Sequence, residues 1–158
     1  MAGRAEKFKQ RATLSLVLTG IAAGVFFFVG SASQKPAGWG AAYAFATPVT
    51  VQLPSRCGVE TFVRGDGRGT AVCERTVWTA DGTAHTGTLY AYADEVKRDG
   101  GQLTFTGEAK ALGDRAYGKP ETWETVLHLA TLAVAALGVL GLLLSCVAAA
   151  FPARRPRA

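Results

Sequence analysis

The chain has 158 residues, 49% of them hydrophobic, with a formal net charge of +5 and a pI near 9.4. Its apolar residues gather in two stretches free of charge, Ala12 to Gln34 and Thr125 to Ala153, each longer than the roughly 20 residues a helix needs to cross a bilayer, which excludes a single compact soluble domain. The excess positive charge sits at the two ends, in Arg4, Lys7, Lys9 and Arg11 and in Arg154, Arg155 and Arg157, and this excludes nucleic-acid binding as the meaning of the basic pI.

Residues 1–11 read as a basic cytoplasmic tail and 12–33 as the first transmembrane helix, because short flanks rich in Lys and Arg stay on the cytoplasmic side. A cleaved signal peptide competes with this reading, since small residues such as Gly30-Ser31-Ala32 follow the apolar run. That run is longer than the 7–15 residues usual for a signal core, and an uncleaved anchor is preferred. Either way the middle of the chain lies outside. Gly20 and Gly24 form a Gly-x-x-x-Gly pair suited to close helix packing, against the second span, a second copy of the chain or a foreign helix.

Residues 34–47 read as a juxtamembrane linker in which Trp39 anchors at the membrane interface. Residues 48–119 then carry short runs of β type separated by turn signals, which predict an extracytoplasmic β domain: a small antiparallel barrel or sandwich of about five or six strands. The expected strands are Val49–Leu53, Val59–Arg64, Thr70–Ala80, Thr83–Ala93, Gln102–Gly107 and Ala111–Tyr117. Asp66-Gly67 and Asp99-Gly100-Gly101 supply turns. Asp81-Gly82 predicts a two-residue type I′ hairpin, whose register sets Trp78 opposite His85 and Cys73 opposite Tyr90.

Residues 120–151 predict the interfacial start and body of the second transmembrane helix. Pro120 suits a first turn, Glu121 and Glu124 complement the helix dipole, and Trp123 is a second interface anchor. Residues 152–158 form the other cytoplasmic tail. The fold class is therefore two membrane helices flanking an all-β domain, in the plasma (inner) membrane with both termini inside.

The cysteines fit that topology. Cys57 and Cys73 fall in the outer segment, where an oxidising exterior favours a disulfide, and Cys146 falls in the second span as a buried apolar side chain. Residues that would carry catalysis are not arranged to do so. Two histidines, His85 and His128, make no ligand pair, and the carboxylates sit mostly in turns beside glycine. Gly65-Asp66-Gly67-Arg68-Gly69 lacks the Lys-Ser/Thr of a phosphate loop. No cofactor, metal or catalytic residue is expected.

Trp78-Thr79-Ala80-Asp81-Gly82 followed by Thr86-Gly87-Thr88 resembles small two-span membrane proteins of unknown function from high-GC bacteria, with a β module between the helices. The resemblance implies that architecture and no site residues. The expected partners are the lipid bilayer and an envelope or membrane protein, with a homo-oligomer as an alternative and no nucleic acid. The expected role is non-catalytic binding or scaffolding; the alternative is an accessory subunit of a larger membrane complex.

Overall fold

A computed structural model describes residues 2–29, 35–60 and 68–150. Two compact units divide the chain: one takes the helical residues up to Phe26 and from Ala130 onward, the other Phe27 to Leu129.

The helical unit holds most of α1 (Ala2–Phe28) and of α3 (Thr122–Ala150), both long and apolar enough to cross a membrane. Their large side chains point away from the protein, as with Leu14, Ile21, Leu137 and Leu143, so these are not buried core helices. α1 begins at Ala2, so the basic segment read as a separate tail continues the helix. The second basic tail, residues 152–158, lies outside the described residues.

The other unit is built on a closed five-stranded barrel. Its strands are β1 (Thr47–Gln52), β3 (Thr70–Ala80), β4 (Thr83–Tyr92), β7 (Ala109–Leu112) and β8 (Arg115–Gly118), joined in the order β1-β7-β8-β4-β3 and closed by β1 pairing with β3. β1 achieves this by changing neighbours: Thr47–Val49 pair with β7 and Thr50–Gln52 with β3. All pairs are antiparallel except β4 with β8, which departs from the antiparallel expectation. Counting barrel strands alone, the first pairs with the second and fourth and the third runs parallel to the fifth, the connectivity of an OB-type Greek-key barrel. β2 (Gly58–Glu60) extends the sheet beside β3, and β5 (Val96–Asp99) with β6 (Gln102–Phe105) forms a separate hairpin.

The β3–β4 hairpin has the expected turn, with Asp81 at φ 50° and Gly82 at φ 76°. Trp78 faces His85 as the sequence predicts, but Cys73 faces Leu89 rather than Tyr90. The cause is a bulge between Cys73 and Thr76, where Arg75 adopts φ 58° and one extra residue enters β3. A one-residue slip exchanges the two faces of a strand, so beyond the bulge Cys73, rather than the exposed Glu74, shares the core face of β3 with Trp78 and stands opposite Leu89. There it joins Trp78, Ala91, Ala109 and Ala116.

Three elements differ from expectation. The single last strand is two, because Gly113 at φ 63° reverses the chain between β7 and β8. The linker contains a short helix, α2 (Trp39–Phe45), and Val96–Asp99 pairs as β5. Beyond Glu60, the strand expected over 59–64 and the Asp66-Gly67 turn lie outside the described residues, as does Gly30-Ser31-Ala32.

Candidate functional site

Cys57 and Cys73 are bonded as expected. Continuing the β2–β3 register one residue beyond Gly58↔Val72 sets them opposite each other, with Cα atoms 4.4 Å apart, the separation of a closely spaced antiparallel pair. The bond fastens the β1–β2 connection to the central strand.

Trp39 is not an interface anchor. It is 1% exposed, its indole N–H donates to the Gly118 carbonyl at 2.8 Å, and its ring centroid lies 5.0 Å from that of Tyr92. The aromatic signal in the linker is a packing signal, because a buried indole needs an acceptor and finds it on β8. Trp123 remains half exposed at the start of α3.

Gly20 and Gly24 face open space, with nothing within 4 Å of where a Cβ would stand. Contact between the helices instead uses Gly138 and Gly141 of α3, whose added Cβ atoms would collide with Thr19 and Ser15 of α1. Cys146 is exposed on α3 rather than buried. His85 is an exposed strand residue stacked beside Trp78, and His128 is buried.

The main polar cluster of the barrel unit surrounds Tyr92 at the end of β4. The Tyr92 hydroxyl donates to Glu124 Oε2 at 3.0 Å and accepts from the Glu121 backbone N–H at 3.3 Å. Glu124, 2% exposed, is ion-paired through Oε1 to Lys35 Nζ. Lys35 Nζ lies 5.1 Å from the Tyr92 ring centroid, and the Arg68 guanidinium lies 3.9 Å from it. Arg68 is held in a fork by Asp94, and Glu95 accepts from the Tyr92 backbone N–H at 3.2 Å.

One buried phenol therefore joins the segment after α1, the barrel and the first turn of α3. Burial, reinforced by the Glu124 carboxylate, pushes the Tyr92 hydroxyl above its ordinary pKa, so it stays a neutral donor. Burial likewise raises the Glu95 carboxyl. Gly40 makes the close approach possible, since a Cβ there would meet the Glu124 and Thr125 backbone at 2.5–2.7 Å.

Sequence reasoning missed this cluster. The available signal was Lys35, the only charged residue between Arg11 and Arg56. A charge isolated in such a run invites a search for a buried partner.

Chemically the cluster is a clasp. Its acids and bases are spent on one another, and its buried hydroxyl points at a carboxylate rather than into a cleft. Among the described residues no group of three His, Cys, Asp or Glu could hold a metal ion. Open grooves lie elsewhere, among them those between β1 and the β5–β6 hairpin around Phe105 and Leu103.

Comparison with family models, curated proteins and solved structures gives no match to this chain. The fold and clasp define it as a disulfide-linked β-barrel flanked by two long apolar helices. An OB-type barrel hosts many unrelated activities, so the connectivity carries no ligand with it.

Proposed function

We propose that this chain is an integral membrane protein of the plasma membrane, crossing the bilayer twice with both basic ends inside, and that its barrel is a non-catalytic binding or scaffolding module in the cell envelope. The clasp is the observation that carries the reading. Lys35 and Glu124 are ion-paired and Tyr92 bonds to Glu124, so within the barrel unit the segment that leads into the barrel and the first turn of α3 are fastened together through one buried cluster. Such a fastening suits a module that presents a surface. The helices' outward apolar side chains suit lipid, and the Cys57–Cys73 bond suits an oxidising exterior.

The test has two parts. Reporter fusions at residues 5, 90 and 156 should place only residue 90 outside, and an external C-terminus would sink the two-span topology. Crosslinking of intact cells through the barrel, followed by purification, should then capture a specific envelope component. Repeated capture of nothing beyond bulk membrane proteins would remove the binding role.

A second reading, as an accessory subunit of a larger membrane complex, is favoured by the open Gly20/Gly24 face of α1. In that case Gly20→Leu with Gly24→Leu releases co-purifying membrane partners while the barrel stays folded.

A further inference from the structure

The β5–β6 hairpin stands apart from the barrel sheet and rests on it through Val96 and Phe105, which pack against the core. Between the hairpin and the chain around the disulfide lies a groove of about 420 Å³, lined by Arg56, Cys57, Val96, Arg98 and Leu103. Leu103 also borders the neighbouring groove along Leu53 and Phe105, so the apolar floor continues past it.

Two guanidiniums thus flank an apolar floor. Among the described side chains neither Arg56 nor Arg98 has a carboxylate within ion-pair distance, whereas Lys35, Arg68 and Lys119 all do. The carboxylate next in sequence, Asp99, belongs to the opposite face of β5 by strand alternation, and among the described side chains no carboxylate lines the groove.

We propose that this groove binds an amphiphilic phosphate, with the head between Arg56 and Arg98 and the apolar tail along Leu103 and Val96. A phosphate monoester carries a charge of about −1.5 to −2 near neutrality, which matches two guanidinium forks, and an apolar floor with a few convergent polar groups is the usual composition of a small-ligand site. The head belongs either to a free ester in the envelope or to an anionic membrane lipid, and the chemistry of recognition is the same. This deepens the reading of the barrel as a binding module.

The experiment uses the full chain in nanodiscs of neutral phosphatidylcholine, titrated calorimetrically with hexyl phosphate, inorganic phosphate and hexanol. Hexyl phosphate should bind saturably, more tightly than the other two and more weakly as salt rises. R56Q/R98Q should weaken it about tenfold or more, and R56K/R98K, which keeps charge but loses the planar fork, should fall between. Both arginines are exposed, and a thiol assay with a thermal melt verifies that the variants keep the disulfide and the fold. Repeating the titration in discs containing phosphatidic acid separates the sources: lipid competes if it occupies the groove, and a free ester is unaffected.

No saturable binding of hexyl phosphate by the unsubstituted chain, together with no difference between its binding to phosphatidic acid discs and that of R56Q/R98Q, overturns the proposal. So does equal affinity in R56Q/R98Q, or binding indifferent to salt. These outcomes leave topology mapping and partner capture readable, so failure here is distinct from failure of the module reading.

Discussion

The Tyr92 hydroxyl lies 3.0 Å from Glu124 Oε2, joining the end of β4 to the first turn of α3. The same oxygen accepts from the Glu121 backbone N–H. Tyr92→Phe keeps the ring beside its cations but leaves the buried Glu124 carboxylate and the part-buried Glu121 N–H without this partner, which should cost about 1–3 kcal/mol. Thermal melting of the full chain should show the loss as a lower Tm. An unchanged Tm would mean that the phenol only fills space.

Breaking the ion pair should cost more. Glu124 is 2% exposed and Lys35 13%, so either single substitution, Lys35→Met or Glu124→Leu, leaves its partner's charge buried, at about 3–5 kcal/mol. The double substitution should recover most of that, because a well-packed apolar pair is often close to neutral in place of a buried ion pair. Denaturant unfolding of the four proteins closes the cycle, and additive losses would show that the two side chains do not interact.

Much of the fold was legible in the residues because its signals are local. Two long charge-free runs define the helices, and Asp81-Gly82 sets the central hairpin. What escaped depends on tertiary context. The bulge at Arg75 has no sequence signature, yet it turns Cys73 onto the core face of β3, opposite Leu89. The strand break at Gly113-Asp114 was hidden in a run that reads as continuous. The clasp was least legible of all, because Lys35 and Glu124 are 89 residues apart and Glu124 has a sufficient local explanation at a helix start. Trp39 misled for the same reason: an interfacial tryptophan and a buried one look alike until the acceptor on Gly118 is known.

Alkaline titration reads the aromatic cluster directly. Burial raises the hydroxyls of Tyr43, Tyr92 and Tyr117 above their ordinary value of 10.0. A folded pKa above the unfolded one favours the protonated state, so this stabilisation is complete below about pH 10 and is lost as pH rises through the folded values. Tyrosinate absorbance from Tyr43, Tyr92 and Tyr117 should therefore develop late, with melting temperature falling over the same range. Ionisation of these three near 10 would contradict the burial.

Gly87 should tolerate no side chain. A Cβ there would stand 2.6 Å from the Trp78 ring and collide with the Asp114 carbonyl, which accepts from the Thr88 N–H. Gly87→Ala should destabilise the barrel by about 1–3 kcal/mol, the usual cost of overpacking, with Trp78 fluorescence shifting as its contact moves. Gly58→Ala is the control, since its nearest neighbour is 3.6 Å away and its effect should be small. Equal effects at the two sites would show that the barrel adjusts around the β7–β8 turn.

The two sets of helix glycines make opposite predictions. A Cβ on Gly141 would lie 3.8 Å from Ser15 Cβ, within disulfide range, so S15C/G141C in a C146S background should crosslink readily under mild oxidation. Adding Gly138→Leu should abolish that crosslink, because its side chain begins where Thr19 already stands. Gly20→Leu with Gly24→Leu should leave it intact, since both face open space. Non-reducing gels read all three outcomes. Loss of the crosslink in the Gly20/Gly24 variant would mean that this face also joins the two helices, and its availability to an outside partner would fall with it.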